Sequence, residues 1–192
     1  MDEAFENLPT MQEIIDKGNY VILDTETTGL DTTAEVVQIA IVGMHGEVLL
    51  DKLLHPKFPI PAEASNIHGI TNEDVKDSPR WESVVDEVVQ ILTGKDIIVY
   101  NAVYDRRILY QTQEIAELER IIWNEVGDWH CLMEEYAEKF GEWNSWRGSY
   151  DWVKLTEAAY EQGIATNNAH DALGDCLMTL ALIDKLYKTK EQ

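Results

Sequence analysis

The stretch Tyr20-Val-Ile-Leu-Asp-Thr-Glu-Thr-Thr-Gly29 constrains this chain more than any other. Val21, Ile22 and Leu23 are bulky apolar residues ahead of a Thr-Thr-Gly turn, the pattern of a short buried strand. Side chains at i and i+2 of a strand share a face, so Asp24 and Glu26 project together into one small space. Like charges held that close repel unless something neutralises them, and the usual neutraliser is a hard divalent cation. The plainer reading, a solvated strand end with two surface acids, loses ground as the rest of the chain is read.

The length of 192 residues, 45% hydrophobic and 27% charged, predicts a single globular domain over 1–192 with its core at about 20–187. No apolar run approaches the roughly 20 residues that cross a bilayer. The N-terminus, Met1-Asp-Glu-Ala-Phe-Glu, is acidic and lacks the basic and apolar regions of a secretory signal. Cys131 and Cys176 stand far apart, which suits reduced thiols in a cytoplasm and offers no zinc-type spacing. A cytoplasmic protein without a membrane role is expected.

Charge is the awkward feature. The formal net charge is −21, and neither half is basic: six basic and nineteen acidic residues run up to Tyr100, nine and seventeen after it. Lys and Arg contacts to phosphate usually supply much of the affinity for long nucleic acids, and this chain repels a distant polyanion. Any nucleic-acid role must come from a local site, from bound metal, or from a partner that does the gripping.

Along the chain, Glu35–Gly43 and Glu47–Leu54 read as strands separated by a His45-Gly46 turn. With the first strand they form a predicted antiparallel meander. His55 to Pro61 is an extended linker, because each proline biases its predecessor away from helix. Trp81–Leu92 has apolar residues near helical period, and Gly94 is placed to end it. Asp96–Asn101 reads as a buried strand, Ala102 to about Gln113 as a helix, and Asp128–Cys131 as a fifth strand. Helices are expected over Leu132–Phe140, Leu155–Gln162 and about Ala169–Tyr187; Met11–Ile15 is a short amphipathic stretch that could dock on its own domain or a neighbour. The order predicts an α/β domain with a mixed sheet.

Three more chemistry-bearing residues lie at element starts. Asp105 falls in the first turn of the helix after the fourth strand, and His170 and Asp175 fall at the start of the last helix. Five residues of helix turn through about 500°, a net 140°, so His170 stands offset from Asp175, beside a metal cluster without ligating it. Alone, each is more simply a cap, a dipole partner or a packed histidine; their joint order is what carries weight.

Together these residues resemble the DEDDh 3′→5′ exonucleases, the DnaQ-like group that includes polymerase proofreading subunits and exonuclease X-type enzymes. Asp24 and Glu26 match the first motif, and Asp105 in Asn101-Ala-Val-Tyr-Asp105 matches the second. His170 to Thr179 matches HxAxxDxxxT, with His where the sister DEDDy group has Tyr. Ile60–Thr71 also looks like the family's segment between the first two motifs. The resemblance runs from about Tyr20 to Leu186 and leaves none of the five positions substituted. It implies an RNase H-like fold, a five-stranded mixed sheet flanked by helices.

The resemblance also implies roles. Asp24, Glu26, Asp105 and Asp175 would hold two Mg²⁺ or Mn²⁺ ions, and His170 would be the general base. Thr27, Thr28 and Gly29 would reach the terminal 3′-hydroxyl, Leu30 would pack on the last base, and His68 would line the nucleotide pocket. The partners implied are nucleic-acid 3′ ends, preferably single-stranded or frayed DNA, with a polymerase or other protein as a further partner in DNA repair or proofreading. An RNA or short-oligonucleotide exonuclease is the alternative, and a non-catalytic binding module on the same fold is the alternative of another class. The aromatic run Trp143, Trp146, Tyr150 and Trp152 around Arg147 reads as a hydrophobic connection packed over the sheet in preference to a base-stacking platform.

Overall fold

The computed structural model describes residues 9–166 and 169–188; the acidic stretch at 1–6 lies outside them. Helix α1 (Met11–Lys17) carries a Thr10–Glu13 capping box and buries Met11, Ile14 and Ile15 against the domain itself. Strands β1 (Tyr20–Thr27), β2 (Val36–Gly43) and β3 (Val48–Leu53) form the expected antiparallel meander. Two short helices, α2 (Ala62–His68) and α3 (Asn72–Val75), follow the extended linker. A 3₁₀ turn at Trp81–Ser83 and α4 (Val85–Leu92) lead into β4 (Asp96–Val99). Next come α5 (Ala102–Ile115), α6 (Trp123–Val126) and β5 (Asp128–Cys131). The chain finishes with α7 (Leu132–Phe140), a hairpin of β6 (Trp143–Asn144) and β7 (Ser149–Tyr150), α8 (Leu155–Glu161) and α9 (Ala172–Ile183), which runs into a π turn over Asp184–Lys188.

The sheet order is β3-β2-β1-β4-β5. β1 pairs parallel with β4, and β4 parallel with β5, so the sheet is mixed. Alternation along β1 divides the core. Tyr20 and Ile22 pack with α1, α7, α8 and α9 on one face, while Val21 and Leu23 pack with α4, α5 and α6 on the other. Both faces are covered, which is why β1, β2 and β4 are apolar on both sides. Each buried Ile or Leu contributes about 1.5–3 kcal/mol relative to exposure. This α/β architecture, a five-stranded mixed sheet flanked by helices, matches the RNase H-like expectation.

Two expectations need correction. The last helix does not begin at Ala169: Asp171 is its N-cap, accepting from the Gly174 N–H, and His170 stands before it with φ +65°. A capped start is a better termination of the helix's free N–H groups than a helix extended through His170. Second, the aromatic run 143–152 is a solvent-facing hairpin, not a segment packed over the sheet. Trp146 is 98% exposed, and Arg147 pairs with Asp151 instead of covering rings.

Candidate active site

The parallel pairing of β1 with β4 builds the site. Register Tyr20↔Asp96 to Ile22↔Ile98 brings the C-terminal ends of both strands together, so α5, which starts just after β4, begins beside the end of β1. Asp105 lies in the first turn of α5, and Thr25 donates its hydroxyl to the Asp105 carboxylate at 2.7 Å. Asp24 and Glu26 lie on the other face of β1, toward α9. Carboxylate oxygens of Asp24, Glu26 and Asp175 come within 4.8 Å of one another. The i, i+2 reading of the two strand acids therefore holds, and Asp175 is brought to them by α9. Asp105 is outside that trio but near enough for its charge to act on Asp24 and Glu26.

Four acids so close are electrostatically costly without a cation. Burial pushes the Glu26 carboxyl up to about 8, with Asp175 and Asp105 adding to the rise. Asp105 is pushed to about 7 by burial, opposed first by the Thr25 hydroxyl. Asp175 is pushed to about 6 by burial, opposed by His170. Asp24 rises well above the ordinary carboxylate range through burial and then the charges of Asp105, Asp175 and Glu26. The Oδ1 atom of Asp175 is buried without a hydrogen-bond partner among the described residues. An acceptor left bare among other acceptors, in an all-oxygen set, fits a hard divalent cation.

His170 is exposed, and its charge acts on both Asp175 and His68. It therefore stands near both Asp175 and His68, the second of which lines the neighbouring cleft. That cleft holds about 540 Å³ and is lined by Glu26, Thr27, Thr28, Gly29, Leu30 and His68, among others. The structure thus brings all five residues assigned to substrate contact into one place. Leu30 is 80% exposed at the mouth. His68 Nε2 bonds the Thr27 carbonyl at 3.2 Å and its Nδ1 accepts from the Ile70 N–H, while burial holds the ring's pKa down.

Three residues that matter here were not picked out from sequence. Tyr104 bonds the Thr27 hydroxyl at 2.7 Å and the Gly29 carbonyl at 2.9 Å, bracing the turn that floors the cleft. Thr25, the middle residue of the Asp-Thr-Glu triplet, holds Asp105. Gln38, opposite Glu26 in the register, is buried and fixes the start of α9: its amide donates to Asp51 and Asp171 and accepts from the Ala172 N–H. A signal for Gln38 existed. It is the one polar side chain in Val36-Val-Gln-Ile-Ala-Ile-Val-Gly43, and buried polar groups need partners.

Comparison with known proteins agrees with this arrangement. Residues 21–183 match the exonuclease model of the RNase T family. An uncharacterized exonuclease of Escherichia phage 186, CP81, is 42% identical over 173 residues, covering 88% of each chain. The DNA polymerase III subunit epsilon of Rickettsia conorii is 35% identical over 106 residues, 52% of this chain and 45% of that protein. Among solved structures, exonuclease X in complex with 5′-overhanging duplex DNA superposes with a TM-score of 0.64 at 26% identity, covering 90% of this chain and 94% of that one. Escherichia coli exonuclease I bound to a dT13 oligonucleotide shares the fold with a TM-score of 0.70 at 20% identity, covering 90% and 41%. With the family model spanning most of the chain and the phage relative aligned along nearly all of it, this protein belongs to the RNase T family of exonucleases, the DnaQ-like enzymes.

Proposed function

We propose that this single domain is a metal-dependent 3′→5′ exonuclease that removes nucleotides from single-stranded or frayed DNA ends. The observation that carries the reading is the convergence of Asp24, Glu26 and Asp175, with the bare Asp175 Oδ1, beside a nucleotide-sized cleft that Glu26 also lines. Asp24, Glu26, Asp105 and Asp175 would hold two Mg²⁺ or Mn²⁺ ions, which when bound supply the Lewis acidity that makes water a nucleophile and relieves charge on the phosphate. His170, beside Asp175, is the general base that takes the proton from the attacking water. Backbone groups of Thr27, Thr28 and Gly29 engage the terminal 3′-hydroxyl, Leu30 packs on the last base, and His68 borders the nucleotide. Tyr104 keeps that turn in shape.

DNA is favoured because exonuclease X, above a quarter identical here, was captured on duplex DNA. The likeness to an epsilon subunit supports a polymerase partner and a place in proofreading or repair. Among the described residues no helix is long and apolar enough to cross a membrane.

The test is digestion of matched 5′-labelled single-stranded DNA, duplex DNA and RNA, with free or 3′-phosphorylated ends. A ladder shortening from the 3′ end, fastest on single-stranded DNA and slowed by the 3′-phosphate, is expected. Equal cleavage of blocked ends, or RNA degraded faster than DNA, contradicts the reading.

A further inference from the structure

The hairpin at 141–154 is not used by the site just described. Its rings face solvent: Trp146 is 98% exposed, Trp152 62% and Trp143 59%. Trp143 and Tyr150 form an edge-to-face pair with centroids 5.2 Å apart, which stiffens one side of the surface. At the tip, the Asn144 carboxamide oxygen accepts from the backbone N–H groups of Trp146 and Arg147, and Gly148 closes the turn with φ +65°. Asn144 and Arg147 both bond Asp151 across the hairpin. The backbone is thus fixed so that Trp146 is held out into water.

A two-stranded ribbon of this size is not stable alone, so its base must be anchored. Asp151 N–H donates to the Glu142 carbonyl, and a Cβ on Gly141 would come within 2.7 Å of the Ala137 and Asp151 carbonyl oxygens. The Tyr100 hydroxyl donates to the Val153 carbonyl at 2.9 Å. Tyr100 immediately precedes Asn101, which lines the cleft, and sits five residues before Asp105. The aromatic surface is therefore rooted at the active end of the sheet.

An exposed tryptophan forgoes the burial that makes it valuable, and a cluster of them marks a binding surface. Charge indicates the occupant. From Gly141 to Lys154, Glu142 and Asp151 are balanced by Arg147 and Lys154, so this segment is neutral in a chain of net charge −21. It repels a polyanion least. Stacking on bases needs no phosphate contact, tolerates any sequence, and is available to a protein that lacks a basic groove.

We propose that the Trp143–Trp152 hairpin is a stacking platform for the single strand leading away from the cleft, holding bases upstream of the 3′ end. This rests on the exonuclease reading for its geometry, and the following experiment separates the two. Binding of a 5′-fluorescein-labelled oligothymidylate of about 16 nucleotides is followed by the anisotropy of its label in EDTA. Turnover is measured with Mg²⁺ on the same strand and on the p-nitrophenyl ester of thymidine 5′-monophosphate, which fills only the terminal cleft. Trp146→Ala and Trp152→Ala are expected to weaken binding and raise KM for the long strand about tenfold or more, with hydrolysis of the ester unchanged; Trp146→Phe restores binding. Unchanged binding and KM in both alanine variants overturn the platform and leave the hairpin to a protein partner. Failure of the wild type to cleave even the ester counts against the exonuclease reading, while the anisotropy still decides the platform.

Discussion

Asp24 sits where its charge is least welcome and most useful. Burial and four acidic neighbours hold its carboxyl far above the usual range, so the side chain destabilises the metal-free fold. Asp24→Asn keeps the shape and removes one charge. It should raise the melting temperature in EDTA by a few degrees, since each kcal/mol is worth roughly 2–4 °C in a domain of this size, while abolishing cleavage. A lower melting temperature would mean the carboxylate is satisfied by the protein alone. Thr25 acts in the opposite sense on Asp105, because its hydroxyl favours the ionised form. Thr25→Val should push Asp105 above about 7 in the metal-free protein, read as a later carboxyl titration by NMR in EDTA; an unmoved titration would show that the Thr25 hydroxyl does not favour the charge. His170→Ala should lower kcat by about 10²–10⁴-fold, with Mn²⁺ binding retained by calorimetry. The two strand acids were legible because strand alternation is strict. The left-handed His170 was not, since an L-residue at φ +65° announces itself through no neighbour.

Among elements, α9 decides whether the acids meet. It delivers Asp175 to β1, and its start is tied down by Gln38, whose loss would leave the buried Ala172 N–H without its acceptor and remove one of the donors to the Asp171 carboxylate. Gln38→Leu should cost about 1–3 kcal/mol and lower kcat together with stability in thermal and kinetic assays; full activity at reduced stability would show that α9 keeps its register without the glutamine. The meander, the central helices and both parallel strands were readable from apolar period and turn residues. Helices α2 and α3 were not, being 7 and 4 residues long, too short for a periodic signal, although Thr71-Asn-Glu-Asp74 carries a capping box. The hairpin was misread because tryptophans suggest burial; Asn144 and Gly148, turn formers at both ends of its tip, were the better guide.

For the whole molecule the governing fact is negative charge, −21 in all, with three carboxylates gathered within 4.8 Å of one another beside the cleft. Burial pushes the Glu26, Asp105 and Asp175 carboxyls up to about 8, about 7 and about 6, against ordinary values of 4.5 for Glu and 3.8 for Asp. Between about pH 4 and 8 the native state holds more protons than the unfolded chain, so this cluster's contribution to stability falls as pH rises through that window. Metal-free protein should therefore melt lower at pH 8 than at pH 6, with a smaller difference in Asp24→Asn, and Mg²⁺ should rescue more at pH 8. A melting temperature that climbs with pH in EDTA would place the strain elsewhere. The central claim is that these carboxylates form a metal centre that cleaves DNA from the 3′ end. The most direct measurement is a time course on 5′-labelled single-stranded DNA with Mg²⁺, with EDTA, and with Asp24→Asn in Mg²⁺. A 3′-shortening ladder in the first condition alone is the predicted result; cleavage that survives EDTA or the substitution would contradict it.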